Sequence, residues 1–407
     1  MLPTVILFLQ LLPLPVYSCV AALDSESVLL AWGTTRDDHN SIGRGSRPLG
    51  KAEVRIDGRS ISEQSRNWIH VTGLQPDQVY PYQILLDGTT VADSWLRTHP
   101  RQSERLAFLV FGDYGKGNER QLQVARAMTQ VFEEKRQSGN PIRLAITTGD
   151  NIYGKQLGFT VRNSGNSDSH WQGKFFEPYR ELLRHIPFYP SPGNHDGDDT
   201  EKKGDFAVYV DNFFLPPLPA WEGSTANYYG FSLAGLADFF SLDSTKNKMP
   251  SGGKAFTQNG PQHRWTLERL EASKAPWKIV YFHNAAYTAG PKYNPVKRLR
   301  YLEPALAQAG VQVVFNGHEH NFQVSEPSET GGIQFIVSGA AGALRVGNIQ
   351  KRLGQKGIAA WAAVGHFLLV EIEGDEMRIQ AIGVDGRAVR YRLRDGSVSD
   401  AAVVVRR

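Results

Sequence analysis

The stretch Val314-Phe315-Asn316-Gly317-His318-Glu319-His320 decides how the chain is read. An apolar run over 311–315 reads as a strand that stops at Asn316-Gly317 and then offers two histidines one residue apart. On an extended segment, side chains at i and i+2 point to the same side, so the two imidazoles can share a metal site or serve two adjacent ions. A His-x-His pair alone fits surface or core histidines equally well. Four other strand-like runs, however, end in polar clusters of the same kind. They are Val110-Phe111-Gly112-Asp113-Tyr114-Gly115, Ile146-Thr147-Thr148-Gly149-Asp150-Asn151-Ile152-Tyr153, Pro192-Gly193-Asn194-His195-Asp196 and Val280-Tyr281-Phe282-His283. In open α/β sheets, ligands collect at the carboxyl ends of the strands, and all five clusters fall just past an apolar run. Glycines before Asp113, Asp150, Asn194 and His318 allow sharp turns that aim the next side chain at a common site. Gly112, Gly115 and Gly117 do not match Gly-x-Gly-x-x-Gly, which excludes the dinucleotide fingerprint.

Around these ends the pattern alternates between strand and helix. Leu122, Ala125, Met128, Val131 and Phe132 recur at helical spacing and predict a helix over 118–138. Further helices are expected near 171–185, 261–273 and 295–308, with strands at 106–111, 142–148, 228–233, 237–242, 277–283 and 311–316. The tail adds strands at 333–338, 366–373, 376–383 and 388–393, so a second sheet stacked on the first is expected. The segment 25–99 is β throughout: short apolar runs separated by Asp-Gly turns, such as Ala52-Glu53-Val54-Arg55-Ile56 before Asp57-Gly58, argue for a small sandwich.

Composition narrows the chemistry. The 407-residue chain is 41% hydrophobic and 21% charged, with a formal charge of +4 and no basic run, so nucleic-acid binding is not expected. Its single cysteine, Cys19, leaves no thiolate beyond the first segment. A metal must then be held by Asp, Asn, Tyr and His, donors that favour iron, manganese or zinc over softer ions. Residues 1–22 are largely apolar and end in Val20-Ala21-Ala22, which resembles a secretory signal peptide and implies a secreted or extracytoplasmic protein. A buried first strand is the other reading of that segment. No other stretch approaches the length of a membrane span.

Gly-Asp-x-Gly, Gly-Asp-x-x-Tyr, Gly-Asn-His-Asp, Val-x-x-His and Gly-His-x-His, in this order, resemble the calcineurin-type metallophosphoesterases, and Tyr153 is similar to the purple acid phosphatase branch. The resemblance implies a four-layer α/β/β/α sandwich over 104–395, preceded over 23–99 by a fibronectin type III-like domain. It also implies a dinuclear centre. Iron(III) would be held by Asp113, Asp150, Tyr153 and His320, and iron(II), zinc or manganese by Asp150, Asn194, His283 and His318. In that family metal-bound hydroxide attacks phosphorus, and His195 corresponds to a histidine that binds phosphate and protonates the leaving alkoxide. Asn194 would also touch the substrate, a small phosphate ester. Asp196 is expected to orient a neighbouring histidine. The chain departs from the family after His283, where Asn284-Ala285-Ala286-Tyr287 stands in place of a further histidine, and Lys292 or Tyr287 could bind phosphate instead. His170, Arg345 and His366 are weaker candidates. A phosphodiesterase on the same site, and a silent binding protein that keeps the fold, are the competing functions.

Overall fold

The computed structural model describes residues 15–36, 39–40, 42–153, 171–196, 207–245 and 257–407. Two stacked sheets form its centre. The first has six strands in the order Phe188–Pro190, Ile142–Thr147, Arg105–Phe111, His366–Glu373, Glu376–Gly383 and Val403–Arg406. The second has nine, running Tyr229–Leu233, Ala237–Ser241, Trp277–Tyr281, Val313–Asn316, Gln334–Ser338, Phe322–Ser325, Ile358–Ala362, Tyr391–Leu393 and Val398–Ser399. Strands 105–111, 142–147 and 188–190 are parallel, as are 237–241, 277–281, 313–316 and 334–338.

The parallel strands are continuous apolar runs because both faces are covered. Every residue from Leu106 to Phe111 is buried. Phe108 meets Phe239 and Phe315 of the other sheet edge-on, at centroid distances of 5.3 and 6.5 Å. Helix Glu119–Gln137 covers the outer face of the first sheet, touching strands 142–147, 366–373 and 376–383 through Val124, Met128, Val131 and their neighbours. The Asn118 side chain caps it by accepting from Gln121 N at 3.0 Å, and Lys135 and Arg136 sit in its last turn, where the helix dipole favours cations. Helices Pro261–Ala272 and Glu303–Gln308 cover the second sheet through a separate cluster of Trp265, Leu270 and Leu306 against Phe240, Val280 and Val314. The result is the four-layer α/β/β/α sandwich. The helix expected over 295–308 is divided, a 3-10 turn at Lys297–Leu302 preceding the α-helix, with Pro304 at its start.

Ahead of this lie two antiparallel sheets, one of Tyr17–Leu23, Ser27–Gly33 and Trp68–Thr72, the other of Arg59–Glu63, Ala52–Ile56, Val79–Leu86 and Thr89–Arg97. Val20, Leu30 and Trp32 from the first share a core with Val54, Tyr82 and Ile84 from the second. The opposite face of the first sheet, with Cys19, Ala21, Leu29 and Ala31, belongs to the main core.

Residues 17–22 belong to the stretch that resembles a signal peptide. Residues 1–14 lie outside the described residues, but Tyr17–Leu23 pairs with Ser27–Gly33 from Tyr17↔Gly33 to Leu23↔Val28. A strand buried on both faces is apolar without a break, which is why 17–22 read as the end of a signal-like stretch. The N-terminal sheets therefore take in 17–22, ahead of the expected start at 23. At the other end, 403–406 pair with 376–379 and carry the six-stranded sheet past 395. Among the described residues no helix is long and apolar enough to cross a membrane.

His99 lies in the connection between the two parts. It is buried, and neither ring nitrogen has a hydrogen-bond partner among the described residues. Burial, helped by Arg143, lowers its pKa from 6.5 to about 3. Protonation therefore favours the unfolded chain, and the stability present above pH 6.5 is lost as pH falls towards 3. We expect His99 to account for about 2 kcal/mol of the stability lost between pH 7 and pH 5. Urea unfolding of wild type and His99→Leu at both pH values checks this, the variant showing the shallower dependence.

Candidate metal centre

All five motif ends meet at the carboxyl edge of the two sheets. Asp113, Asp150 and Asn194 follow strands of the first sheet, while His283, His318 and His320 follow strands of the second. Three of these residues take the left-handed conformation themselves: Asp113 at φ 56°, Asp150 at 50° and His318 at 70°. Non-glycine residues held there are uncommon and cluster at functional sites. The expected part played by the glycines changes accordingly. Of the four, only Gly149 has a positive φ, 89°. Gly193 is needed for close approach: a Cβ there would lie 2.0 Å from Asp150 N and 2.3 Å from Asp150 Oδ1.

The side chains fall into two groups. In one, Tyr153 Oη donates to Asp113 Oδ1 at 3.0 Å and lies 3.1 Å from His320 Nε2, which is 3.2 Å from the same carboxylate oxygen. In the other, His283 Nε2 is 3.3 Å from Asp150 Oδ1, 3.1 Å from Asn194 Oδ1 and 3.1 Å from His318 Nδ1. Asp150 belongs to both, since one donor atom each from Asp113, Asp150 and His320 lie within 4.8 Å of one another. The floor is closed to solvent: Asp113, Asp150, Tyr153 and His283 are buried, whereas Asn194, His195, His318 and His320 line the mouth and are partly exposed.

The donor set fits a cation. His283 Nδ1 lies 2.9 Å from Thr148 O, an acceptor only, so that nitrogen carries a proton and Nε2 faces the cluster. Three acceptors converge on Nε2, a pattern satisfied either by a proton or by a metal ion. Without an ion the proton is held there: burial lowers the His283 pKa, but Asp150 outweighs it and raises it to about 9. His318 moves well below its ordinary value through burial and then through His283. Burial, then the negative charge of Asp113 and Asp150, keeps the Tyr153 phenol protonated far above its usual range. A cation among these oxygens reverses that last effect.

Several neighbours were not foreseen. Among the described residues Asp196 has no histidine partner. It is a buried carboxylate that accepts from Gly193 N at 2.8 Å, Asn151 N at 3.1 Å, Asn151 Nδ2 at 2.8 Å and Ile152 N at 3.0 Å, tying the second and third motif loops together. Burial and the nearby Asp150 push its pKa up to about 7 against these donors. Glu319, the residue between the two histidines, is fully buried; it binds Arg345 Nη1 at 2.6 Å and accepts from Tyr293 N at 2.8 Å. Tyr293 in turn stacks on His318 with centroids 3.9 Å apart and planes 18° from parallel. Arg345 is thereby an anchor beneath the rim. Lys116 Nζ lies 4.0 Å from the centroid of the Tyr153 ring. Burial lowers its pKa, and Asp150 and Asp113 pull it back. An acidic residue inside His-x-His and a lysine just after Gly-Asp-x-Gly were the available signals.

The remaining candidates divide. The His195 ring lies 4.5 Å from that of Tyr153, and its backbone N–H donates to Asp150 Oδ1 at 2.8 Å. Lys292 is exposed at the rim, its Nζ 4.9 Å from the Tyr293 ring centroid. Tyr287 turns away into the second core and donates to Glu303 Oε2 at 2.6 Å. His366 is buried against Ser338, and His170 lies outside the described residues.

A family model for calcineurin-like phosphoesterases matches residues 106–322, more than half of the chain. The chain belongs to the calcineurin-like phosphoesterase family. Purple acid phosphatase 3 of Arabidopsis thaliana is 27% identical over 305 residues, 70% of this chain and 76% of its own length. An uncharacterised protein of Mycobacterium tuberculosis is 25% identical over 334 residues, 74% of this chain, and the match spans only 60% of that relative. A purple acid phosphatase from yellow lupin seeds shares the fold, with a TM-score of 0.65 at 15% identity over 96% of this chain and 74% of its own. Within the phosphoesterase family, then, the similarity runs to the purple acid phosphatases.

Proposed function

We propose that this phosphoesterase is a dinuclear metal-dependent hydrolase of small phosphate esters, of the purple acid phosphatase type. The observation that carries the reading is the meeting of seven donors in two groups that share Asp150. Asp113, Asp150, Tyr153 and His320 would hold one ion. Their carboxylates and phenolate suit iron(III). Asp150, Asn194, His283 and His318 would hold the other, and a neutral amide with two imidazoles suits divalent iron, zinc or manganese. When bound, the pair supplies Lewis-acid stabilisation of charge at the phosphoryl group and makes water a better nucleophile at neutral pH.

The chain's own residues do the rest. Thr148 O holds the His283 ring in one tautomer, and the Asp196 carboxylate fixes the loops that carry Asp150 and Asn194. Asn194 and His195 face the mouth, where they bind the phosphoryl oxygens, with Lys292 adding positive charge at the rim. His195 gives its proton to the leaving alkoxide as the P–O bond breaks.

The test is the rate on a p-nitrophenyl phosphate monoester, its diester and an alkyl phosphate, with wild type and His195→Asn. The monoester should be the better substrate. The variant should lose about 10²- to 10³-fold on the alkyl ester, whose leaving group needs a proton, and less than about tenfold on the aryl ester. Faster turnover of the diester would move the protein to the phosphodiesterases. No turnover of any ester by the metal-loaded protein would make it a binding protein on the same fold.

A further inference from the structure

Resting on the phosphate-ester reading, we infer that Lys116 is a substrate-phosphate contact of this enzyme, placed by a fixed loop so that its ammonium is free to meet the incoming anion.

Among the described residues Arg345, Lys174, Lys292 and Lys116 stand near the mouth, and the first two are bound to protein acceptors. Arg345 is bound to the buried Glu319 at 2.6 Å. Lys174 gives its Nζ to Tyr153 O at 2.6 Å. Lys292 is exposed and lies over Tyr293. Lys116 differs from them. Its side chain is partly buried against the face of Tyr153, and among the described residues its Nζ has neither a hydrogen-bond acceptor nor an ion pair. An ammonium carries three donors, and keeping it half-desolvated with none of them answered by protein is unfavourable unless a ligand supplies the acceptors.

The backbone shows that this position is held. Lys116 N and Gly117 N both donate to Gln121 Oε1, at 3.0 and 2.7 Å, and Gln121 is fully buried at the start of helix 119–137. Its amide nitrogen donates to Lys174 O at 2.5 Å. Gly115 has no room for a side chain, since a Cβ there would lie 1.9 Å from Asn151 O. The loop between Asp113 and the helix is thus locked to the Asp150 loop and to the 172–176 turn, and it carries the lysine to one side of Tyr153. Tyr153 Oη is 3.0 Å from Asp113 Oδ1, so a phosphoryl group between the two donor groups comes within reach of a lysine standing over that ring. The ammonium stands over the ring face, a cation–π arrangement that holds the charge in place without neutralising it.

The experiment is calorimetric titration of the metal-loaded full chain with inorganic phosphate, for wild type, Lys116→Met and Lys116→Arg, alongside kcat and KM on p-nitrophenyl phosphate. Methionine keeps the stem and removes the charge. Lys116→Met should weaken phosphate binding about 10- to 100-fold, the loss of a charge-assisted hydrogen bond, and raise KM in parallel. Lys116→Arg should recover most of both. Met and wild-type proteins that bind phosphate equally, in an enzyme that turns over the ester, would overturn the inference and leave the phosphate-ester reading standing. A wild-type protein that neither binds phosphate nor hydrolyses the ester would overturn that reading instead, and the inference with it.

Discussion

Asp150→Asn lowers ester hydrolysis by on the order of 10³-fold or more while leaving the fold in place. The carboxylate sits at the junction of the two donor groups, with one oxygen 3.3 Å from His283 Nε2 and 2.8 Å from the His195 backbone nitrogen. It is buried, and Asn has nearly its shape, so the substitution changes charge more than packing. Burial raises the Asp150 pKa, and the positive potential of His283 and His195 more than reverses this, so the group is ionised throughout the working range. Removing the charge takes away the anion that the two ions are proposed to share, and it releases His283 from the field that holds its proton. Two readouts follow. Ester turnover falls, and in the metal-free protein the His283 titration, raised to about 9 in wild type, moves down when followed by NMR. Undiminished turnover by Asp150→Asn would show the shared carboxylate to be dispensable.

Gly193→Ala has an effect of a different origin. The added methyl group would meet the Asp150 backbone nitrogen at 2.0 Å, which cannot swing aside, and the buried Asp150 carboxylate at 2.3 Å. Relief requires the two loops to separate. They are stitched together by three N–H groups of Asn151 and Ile152 that donate to Asp196 and by the His195 N–H that donates to Asp150, so separation also breaks buried hydrogen bonds. We expect a stability loss of about 3 kcal/mol or more, read by urea unfolding, together with loss of bound metal. Wild-type stability and metal content in this variant would mean that the loops pack more loosely than the geometry implies.

The sequence made the strand ends legible because each motif couples an apolar run to a donor, four of them through a glycine, and a parallel sheet gathers such ends along one edge. Asp113, Asp150, Tyr153, Asn194, His283, His318 and His320 lie in or beside these ends, the family resemblance implied them as ligands, and the structure brings them together. What it could not reveal is how the loops are fastened. Asp196 next to Asn194-His195 looked like a partner for a histidine, yet three of its four donors come from Asn151 and Ile152, 44 and 45 residues earlier. Glu319 gave no local sign of its burial, because its partner Arg345 is 26 residues away and Tyr293 equally far on the other side. Tyr287 looked available for phosphate until helix 303–308 supplied Glu303 for its hydroxyl. At the N-terminus the same apolar composition serves a leader and a strand covered on both faces. In the folded chain 17–22 pair with Ser27–Gly33.

Metal content per chain tests the central claim most directly. Purified wild-type protein, loaded with iron and a divalent metal and then desalted, should retain two ions per chain. Its visible spectrum should carry a broad phenolate-to-iron band that Tyr153→Phe removes, and Asp150→Asn should not retain both ions. An active wild-type enzyme that retains one ion or none would contradict the account.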